Sequence, residues 1–552
     1  MKKKRDKLMI HLKMRLLFVI VFILAWANAS TQAAVYYVKN NGDDRASGLS
    51  DAAAWKTVAK VNDFAEATGF KNGDAIYFKG GDTFSDEAFG DDGGNIVWGT
   101  LNGLNIGSYG IGNAIFDCNK INETYCFRFD APGVSNLKIE NLTFNGMDGD
   151  FREIIHIEGV NGVEIDRITV DANEGSSVFP RPDRLVMLVD IGGDIHVHDS
   201  TIKNGYPGKW GDWSGHDCVG LRLVYNFSGG DPKTDGTVTI ENNIITNMYS
   251  DSIAIEKIQS KNFYIRNNTL GNYSENSLDS KGSHNWQYYG NTVYRKWDKT
   301  AGSSPGAASC IVIHDSRDDV YETENAKIFN NYFYAEDKEC IRLEEARNIE
   351  VSRNLFKGIG RTLRALWVSG LDFENNIIIA DAVPEKVNDV LYIAGNAKND
   401  DIKIVNNSIY VSHSSYKSGI KWEAVSGQSG NIIRNNVVMI EAASSACPLY
   451  VKDGDSSKSF PEVGYNIWYN ADHVNRVYWD GKTFGSSDQK SWQSAGHPNG
   501  LFLNPNFNNP KADDLRLTSN SPCTDCGADV KLLKAFPISA SWLSPPNNLK
   551  IK

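Results

Sequence analysis

Residues 238–272 read VTIENNIITNMYSDSIAIEKIQSKNFYIRNNTLGN and contain one short pattern twice. In both copies an apolar-alternating run leads into two Asn residues, and a second run of this kind follows. The pattern returns at IENLTF (139–144), YYGNTVY (288–294), IFNNYFY (328–334), VSRNLF (351–356), FENNIII (373–379), IVNNSIY (404–410) and IIRNNVV (432–438). Alternation with a period of two residues predicts short β-strands, and Asn is frequent at the bends between strands.

Alignment of the copies places one Asn of each in a single column. The column contains Asn243, Asn268, Asn291, Asn331, Asn354, Asn376, Asn407 and Asn436, at intervals of 25, 23, 40, 23, 22, 31 and 29 residues. A unit of this length cannot bury its own apolar face, so successive units must stack. The sequence therefore predicts an all-β fold, a single-stranded right-handed parallel β-helix. We expect an Asn in the left-handed conformation at each bend and a ladder of stacked Asn amides.

The first 29 residues have the organisation of a secretory signal peptide. Seven basic residues precede an apolar run from Leu16 to Trp26, and small residues lead to a predicted cleavage site after Ala29, with Ala33 and Ala34 as alternatives. The apolar run is short for a membrane span. We therefore expect a secreted protein, extracellular or periplasmic.

Loss of this segment removes seven basic residues and one acidic residue, which changes the formal net charge from −11 to −17. A chain this acidic is not expected to bind nucleic acid or an anionic membrane. We expect a monomer whose partner is a polysaccharide. Because a solenoid needs covers over its open ends, we expect an N-terminal cap with the first coils at 35–110, the coils of the active face at 111–454, and C-terminal coils with a capping segment at 455–552.

Both ends of the mature chain resemble exported proteins of the pectate-lyase-like β-helix superfamily. The similar segments are VYYVKNNGDDRASGLSDAAAWKTVAKVNDF (35–64), FKNGDAIYFKGGDTF (70–84) and LFLNPNFNNPKADDLRLTSNSPCTDCGADV (501–530). The resemblance implies the fold, but that superfamily contains lyases, hydrolases, epimerases and viral tail spikes, so it implies no single reaction.

The resemblance to pectate lyases weakens at the site itself. Asp251 stands where that family has a cluster of Ca²⁺-binding Asp residues, but Ser252 and Ala254 leave the cluster thin. Asp279 occupies the position of the family's Lys, and Lys281 lies two residues further on. The paired Asp pattern of polygalacturonase-like hydrolases is not evident.

The strands that precede the Asn ladder predict columns of outward charged residues, about 4.8 Å apart within a column. One column contains Arg222, Glu256, Lys281, His314 and Glu344, preceded in a looser alignment by Glu158 and Asp190. The neighbouring columns contain Gly220, Ala254, Asp279, Val312 and Arg342, and Asp217, Asp251, Asn276, Ser309 and Glu339. Further along, the face continues with Trp367, Tyr392 and Ala394, where we expect the charge to fade.

This patch suits a lyase that acts on a uronate-containing chain. Such an enzyme neutralises the uronate carboxylate, removes the proton on C5 and releases the C4 oxygen. Lys281 is the predicted base and His314 the acid or alternative base. The predicted carboxylate partners are Arg342 and Arg222. Predicted sugar-binding residues are Trp210, Trp213 and Trp367, with Arg222. The predicted ligands of a Ca²⁺ cofactor are Asp251, Glu256 and Asp279.

Two other functions fit the same residues. A glycoside hydrolase needs two carboxylates, and Glu256, Asp279 and Glu344 offer such pairs. A non-catalytic sugar-binding protein or adhesin would use the aromatic surface and leave the charges as a ladder of ion pairs.

The cysteines allow two short disulfides, Cys118 with Cys126 and Cys523 with Cys526. Cys310 and Cys340 fall in register in neighbouring coils, where they either bond or stack as small apolar residues.

Overall fold

A computed structural model gives the fold. It describes residues 33–85, 88–90, 100–120, 124–130, 132–146, 153–172, 183–205, 218–225, 236–295, 309–315, 322–335, 339–358, 360–381, 388–395, 399–441, 446–453, 459–472, 474–523 and 526–528. The predicted signal peptide (1–29), Trp210, Trp213 and Asp217 lie outside these residues.

The chain winds as a parallel β-helix with three faces. The strands of the first face are Tyr125–Asp130, Glu153–Glu158, Arg184–Val189, Val219–Val224, Ile253–Glu256, Asn276–Lys281, Ser309–His314, Asp389–Ile393, Ser418–Ala424, Cys447–Asp453 and Asn475–Trp479, with the first halves of Glu339–Ser352 and Arg361–Glu374. The second face has the second halves of these two long strands with Val35–Val38, Ala75–Lys79, Leu101–Asn102, Asn105–Tyr109, Val134–Glu140, Asn161–Asp166, Gly192–His198, Thr237–Glu241, Gln259–Arg266, His284–Tyr289, Thr323–Glu324, Lys327–Phe329, Asp400–Val405, Ile432–Arg434 and Glu462–Gly464.

The third face is a separate sheet of 14 strands. They are Thr83–Phe84, Ala114–Asp117, Leu142–Asn145, Thr169–Asp171, Thr201–Gly205, Ile244–Met248, Thr269–Tyr273, Thr292–Arg295, Tyr332–Ala335, Leu355–Lys357, Ile377–Ala380, Ser408–Val411, Val437–Ile440 and Ile467–Asn470. The first two faces form one sheet of 29 strands, because the two long strands run from one face to the other. This architecture confirms the predicted fold, a right-handed parallel β-helix.

Each strand pairs in parallel with its counterpart one coil further along, so side chains of one kind stack in columns. In the first face the inward column includes Ile253, Leu278, Ile311, Ile341 and Leu363, all fully buried. Burial of one such side chain contributes about 1.5–3 kcal/mol. The apolar core is therefore continuous along the axis, as a stacked solenoid requires.

The predicted Asn ladder is present and fully buried. The amide of Asn354 shows the arrangement: its Nδ2 donates to Ile328 O at 2.9 Å and to Asn376 Oδ1 at 3.1 Å, while its Oδ1 accepts from the Nδ2 of Asn331 at 3.0 Å. The ladder continues to Asn466 at one end, and at the other the backbone N–H of Ser200 donates to Asn243 Oδ1. Each amide satisfies backbone groups that the bend would leave buried and unpaired.

The expected left-handed Asn is present at most of the bends, with Gly290 and Arg353 as exceptions, but it is not the ladder Asn itself. The left-handed residue is the one that precedes the ladder Asn, and the positions are Asn242, Asn267, Gly290, Asn330, Arg353, Asn375, Asn406 and Asn435. The left-handed residue turns the chain, and the ladder Asn then points inward beneath the bend.

Both ends of the solenoid are covered. At the first coil the helix Val58–Ala67 buries Val58, Val61 and Ala65 in the core cluster that contains Trp55. At the last coil the strand Lys482–Gly485 forms an antiparallel hairpin with Asn475–Trp479, and the helix Gln489–Ser494 buries Trp492. Short 3₁₀ helices occupy Asp51–Ala53, Cys118–Lys120 and Pro510–Ala512. The predicted division into 35–110, 111–454 and 455–552 stays a prediction.

The C-terminal segment returns over the outside of the third face. Its two antiparallel strands, Phe507–Asn509 and Asp514–Leu517, bury Phe507 and Leu515 against outward side chains such as Ile377. None of the helices in the described part of the chain is long and apolar enough to cross a membrane.

Both predicted disulfides are formed, Cys118 with Cys126 and Cys523 with Cys526. Cys310 and Cys340 stack in adjacent coils as free, buried thiols. Of the two alternatives, the structure therefore has the stacked thiols and not the disulfide. Burial raises the pKa of the Cys340 thiol, which keeps it neutral.

We expect Asn354→Ala to lower the free energy of unfolding by about 2–4 kcal/mol, because the substitution leaves two buried backbone groups of the preceding coil unpaired, the carbonyl of Ile328 and the N–H of Asn331. Urea denaturation followed by circular dichroism measures the change. Asn262→Ala is the matched control, since Asn262 is exposed on the second face and lies outside the ladder. Equal stability of the two variants would contradict the role of the ladder.

Candidate functional site

The first face carries the predicted patch, and its register over four coils agrees with the sequence alignment. Lys281 lies between Glu256 and His314 in adjacent coils. In the neighbouring column Asp279 lies between Ala254 and Val312, and Arg342 follows Val312. The outward side chains of these strands therefore form one continuous surface.

The alignment of the preceding coil is wrong by two residues. Arg222 pairs with Ala254, and the residue beside Glu256 is Val224. The same shift puts Val219 at the level of Asp251. Asn243 closes this coil, but the connection between the strand Val219–Val224 and that Asn is longer than in the coils that follow, so the Asn does not fix the register of the strand. Alternation alone is unchanged by a shift of two residues.

Two smaller points follow from the observed register. Glu158 lies beside Val189, so Asp190 is not part of its column. Arg222 still reaches Glu256 along a diagonal, with 3.0 Å between its guanidinium Nη2 and Oε2 of the carboxylate. The predicted contact between Arg222 and Glu256 is therefore present despite the shift in register.

Asp279 is the centre of the patch. Its Oδ2 lies 2.8 Å from Lys281 Nζ, and its Oδ1 lies 3.0 Å from His314 Nε2. Burial by itself would raise the pKa of Asp279, but the hydrogen bond with His314 and the charge of Lys281 hold that pKa below its usual range. Asp279 is therefore an ionised, almost fully buried carboxylate that joins two side chains from different coils.

Lys281 is held as an ammonium ion. Burial disfavours its charged form, but the carboxylate of Asp279 outweighs burial and raises the pKa of Lys281. Asp251 and Glu256 act in the same direction. A catalytic base must lose its proton near neutral pH, so the predicted role of Lys281 as the base is corrected.

Asp251 lies at the start of the strand before Asp279 and is buried. Its Oδ1 accepts hydrogen bonds from the backbone N–H and the Nδ2 of Asn276, at 3.0 and 2.8 Å. Burial, and then the charge of Asp279, raise the pKa of Asp251 well above its usual range. Two neighbouring carboxyl groups thus have pKa values shifted in opposite directions, an arrangement that separates an acid from an ionised carboxylate.

The other predicted side chains form ion pairs around this centre. Arg342 Nη2 lies 2.7 Å from Glu344 Oε1, and Arg222 pairs with Glu256 as described. A guanidinium group has five N–H donors, so each Arg keeps donors for a ligand.

The three predicted Ca²⁺ ligands do not share one site. Glu256 pairs with Arg222, Asp279 with Lys281 and His314, and Asp251 with Asn276. Among the described residues, the one cluster of three metal-ligating side chains lies on the second face. These residues do not fit a Ca²⁺ ion, and we derive no step through one.

The expected fading of charge toward the C-terminus is wrong. Arg361 pairs with Glu339 at 2.5 Å, and Tyr392 donates to Glu423 Oε2 at 2.9 Å. Arg364 and Lys421 occupy the column of Arg342, and Lys421 Nζ lies 4.5 Å from the centre of the Tyr392 ring. Sequence reasoning missed Arg361, Arg364, Lys421 and Glu423, although the alternation in RTLRALW (361–367) and SGIKWEA (418–424) points to them.

Trp367 stands at the corner between the first and second faces. Its backbone is left-handed, with φ of 52°, and its side chain is exposed. A large exposed aromatic ring on the rim of the patch is consistent with the predicted contact to a sugar.

A second charged group lies on the first face toward the N-terminus. The sequence analysis named only its Glu158. The ring of His156 bridges two carboxylates, with Nδ1 2.6 Å from Glu153 Oε2 and Nε2 3.1 Å from Glu158 Oε2. Burial opposes the charged imidazolium, but the hydrogen bond and charge of Glu153 raise the pKa of His156. The outward apolar cluster Met187, Val189 and Val224 separates this group from the Asp279 centre.

Comparison with known proteins gives no family. No protein-family model matches the chain, and no curated protein is significantly similar to it. Solved structures do match. A GH136 lacto-N-biosidase from Eubacterium ramulus is 12% identical, with 74% of this chain and 68% of that chain covered and a TM-score of 0.46.

Two further structures show the range of the similarity. The surface adhesin PfbA of Streptococcus pneumoniae is 12% identical over 76% of this chain and 86% of its own, with a TM-score of 0.40. Pectate lyase Pel9A is 13% identical over 91% of this chain and 93% of its own, with a TM-score of 0.30. At these identities and TM-scores the similarities carry no argument about the reaction.

We expect Asp251→Asn to raise the melting temperature at pH 7–8 and to change it little at pH 4. The folded pKa of Asp251 is raised, so its contribution to stability is complete below the unfolded pKa of about 3.9. That contribution is lost as the pH rises through the folded pKa. Asn keeps the acceptor for Asn276 without a charge. Thermal unfolding from pH 4 to pH 8 tests this, and a variant that is less stable than the wild type at pH 8 would show that the carboxylate is stabilising.

Proposed function

We propose that the protein is an exported polysaccharide lyase, which cleaves a uronic-acid-containing chain by β-elimination on the first face. The observation that carries the proposal is the group of Lys281, Asp279 and His314, in which one ionised carboxylate holds an ammonium ion and an imidazole side by side. β-Elimination needs a cation at the uronate carboxylate and a base at C5, and this group supplies both.

His314 is the base. An ionised carboxylate accepts hydrogen bonds only, so the neutral imidazole carries its proton on Nε2, where it donates to Asp279 Oδ1 at 3.0 Å. The lone pair of Nδ1 then takes the proton on C5. The electron pair of that C–H bond forms the C4–C5 double bond as the C4–O4 bond breaks, and the imidazolium so formed or a water molecule protonates the departing O4. Asp279 orients the ring and stabilises the imidazolium ion that forms, as the carboxylate of a catalytic triad does. The His314 side chain is about one-quarter exposed, so a substrate can reach it.

Lys281 neutralises the uronate carboxylate. Its raised pKa keeps it protonated at neutral pH, as described above, and it lies beside His314 in the next coil. Arg342 and Arg222 flank it, each with guanidinium donors beyond those that pair with Glu344 and Glu256. A cation beside the carboxylate lowers the pKa of the C5 proton and stabilises the enolate-like transition state.

A glycoside hydrolase is the second candidate, and the carboxyl pair of Asp251 and Asp279 favours it. The raised pKa of Asp251 suits a general acid, and the lowered pKa of Asp279 suits an ionised partner. Against this, Asp251 is buried and its Oδ1 already accepts two hydrogen bonds from Asn276.

We expect the mature chain to release unsaturated products from at least one acidic polysaccharide. A panel of acidic and neutral polysaccharides is incubated with the protein, and ultraviolet absorbance of the C4–C5 double bond and new reducing ends are measured in the same samples. Absorbance that rises with reducing ends supports the lyase. New reducing ends without absorbance would move the assignment to the hydrolase. The absence of both signals would favour the non-catalytic sugar-binding protein.

On a substrate identified in this way, we expect His314→Ala to lower kcat by about 10²–10⁴-fold, which is the usual contribution of a general base. Lys281→Met removes the cation and lowers kcat/KM. Lys327→Met is the control for Lys281→Met, because Lys327 is a lysine of the second face that pairs with Glu350 in the same way. Full activity of the His314 variant would exclude His314 as the base.

A further inference from the structure

A second group of chemically reactive side chains lies on the second face, away from the patch of the first face. Glu164 and Asp166 belong to the strand Asn161–Asp166, and His198 belongs to the adjacent strand Gly192–His198. Asp166 and His198 are partners in register. One ligand atom of each of the three side chains lies within 4.8 Å of the other two.

The orientation of His198 is that of a metal ligand. Its Nδ1 lies 2.8 Å from Asp199 Oδ2, and its Nε2 lies 3.3 Å from Glu164 Oε1. A histidine that binds a metal through one ring nitrogen donates its other N–H to a carboxylate or carbonyl, which fixes the tautomer. In the tautomer in which Nδ1–H donates to Asp199, the lone pair of Nε2 faces the Glu164 carboxylate oxygen, and a cation can bind between these two atoms.

Asp166 provides a second, independent observation. Its side chain is 2% exposed, and its Oδ2 lies 2.7 Å from Arg167 Nη2. Its buried Oδ1 accepts no hydrogen bond from the part of the chain that the structure describes, and it lies 3.4 Å from His198 Nδ1. A buried carboxylate oxygen without a donor is costly, and a metal ion bound to the Asp166 carboxylate would reduce that cost.

The local charge also favours a cation. Glu164, Asp166, Asp199 and Glu140 give four negative charges, against two from Lys138 and Arg167. The ammonium of Lys138 lies 3.0 Å from Glu164, 3.4 Å from Glu140 and 3.7 Å from Asp166. One monovalent side chain thus serves three carboxylates, and the net excess of two negative charges favours the binding of a cation.

We propose that Glu164, Asp166 and His198 bind one divalent transition-metal ion of the zinc type. One imidazole nitrogen and two carboxylate oxygens are a ligand set that Zn²⁺ accepts, with water in the fourth position. The ion displaces the Lys138 ammonium and joins two adjacent coils. It lies on the second face, and the proposed catalytic residues lie on the first, so the ion stabilises the solenoid and takes no part in the cleavage reaction. The site does not depend on the proposed lyase activity.

The test is calorimetric titration of the chelator-treated full mature chain with ZnCl₂ near neutral pH, together with the melting temperature with and without the ion. We expect the wild type to bind one ion at this site with an increase in melting temperature. His198→Ala and Glu164→Gln lower the affinity by at least about 10-fold, which is the usual cost of a lost metal-site interaction. Lys138→Met removes the competing ammonium and tightens binding.

His196→Gln is the matched control. His196 stacks on His198 with ring centres 3.9 Å apart and contacts Glu241, but it is not one of the three ligands, so its loss leaves binding in place. Absence of Zn²⁺ binding by the wild type overturns the proposal, whatever the Lys138 variant does. Unchanged affinity and stoichiometry in both His198→Ala and Glu164→Gln overturn it as well, provided that circular dichroism shows the variants folded.

Discussion

The parallel register between successive coils is the constraint on which the rest of this protein depends. Each coil fixes the register of the next coil, because a shift along a strand would move inward side chains out of the core or misalign the outward columns. The buried Asn ladder holds this register at the bend between the second and third faces, where every amide bonds to the coils on both sides. Side chains from different coils, such as Lys281 and His314, meet on one carboxylate only because this register is fixed.

The sequence predicts the parts of the molecule that repeat. The ladder from Asn243 to Asn436 and the columns from Asp251 to Glu344 follow from alternation and from a constant Asn, and both agree with the structure. The coil of Arg222 ends in Asn243, but a longer connection separates its first strand from that Asn, and alternation is unchanged by a shift of two residues, so the predicted alignment of this strand is wrong. The alternation in the sequence also predicts that Arg364 and Lys421 point outward on the first face, but the sequence analysis did not include them.

The charge state of the site could not be predicted, because it depends on burial and distance. Lys281 beside carboxylates could have been a base or a fixed cation. The ion pair with the buried Asp279 raises the pKa of Lys281 and favours the fixed cation, and for this reason we propose the imidazole of His314 as the base. The same geometry argues against a Ca²⁺ ion held by Asp251, Glu256 and Asp279, since each already has a partner.

The central claim is that a polysaccharide binds on the first face over Asp279, and a crystal structure with bound oligosaccharide tests it most directly. The protein is the His314→Ala variant, soaked with an acidic oligosaccharide that the wild type cleaves. The account predicts a sugar ring above Lys281 and His314, with its carboxylate near Lys281 or Arg342 and its C5 toward the space left by the imidazole. An oligosaccharide bound on the second or third face, with none on the first, would contradict it.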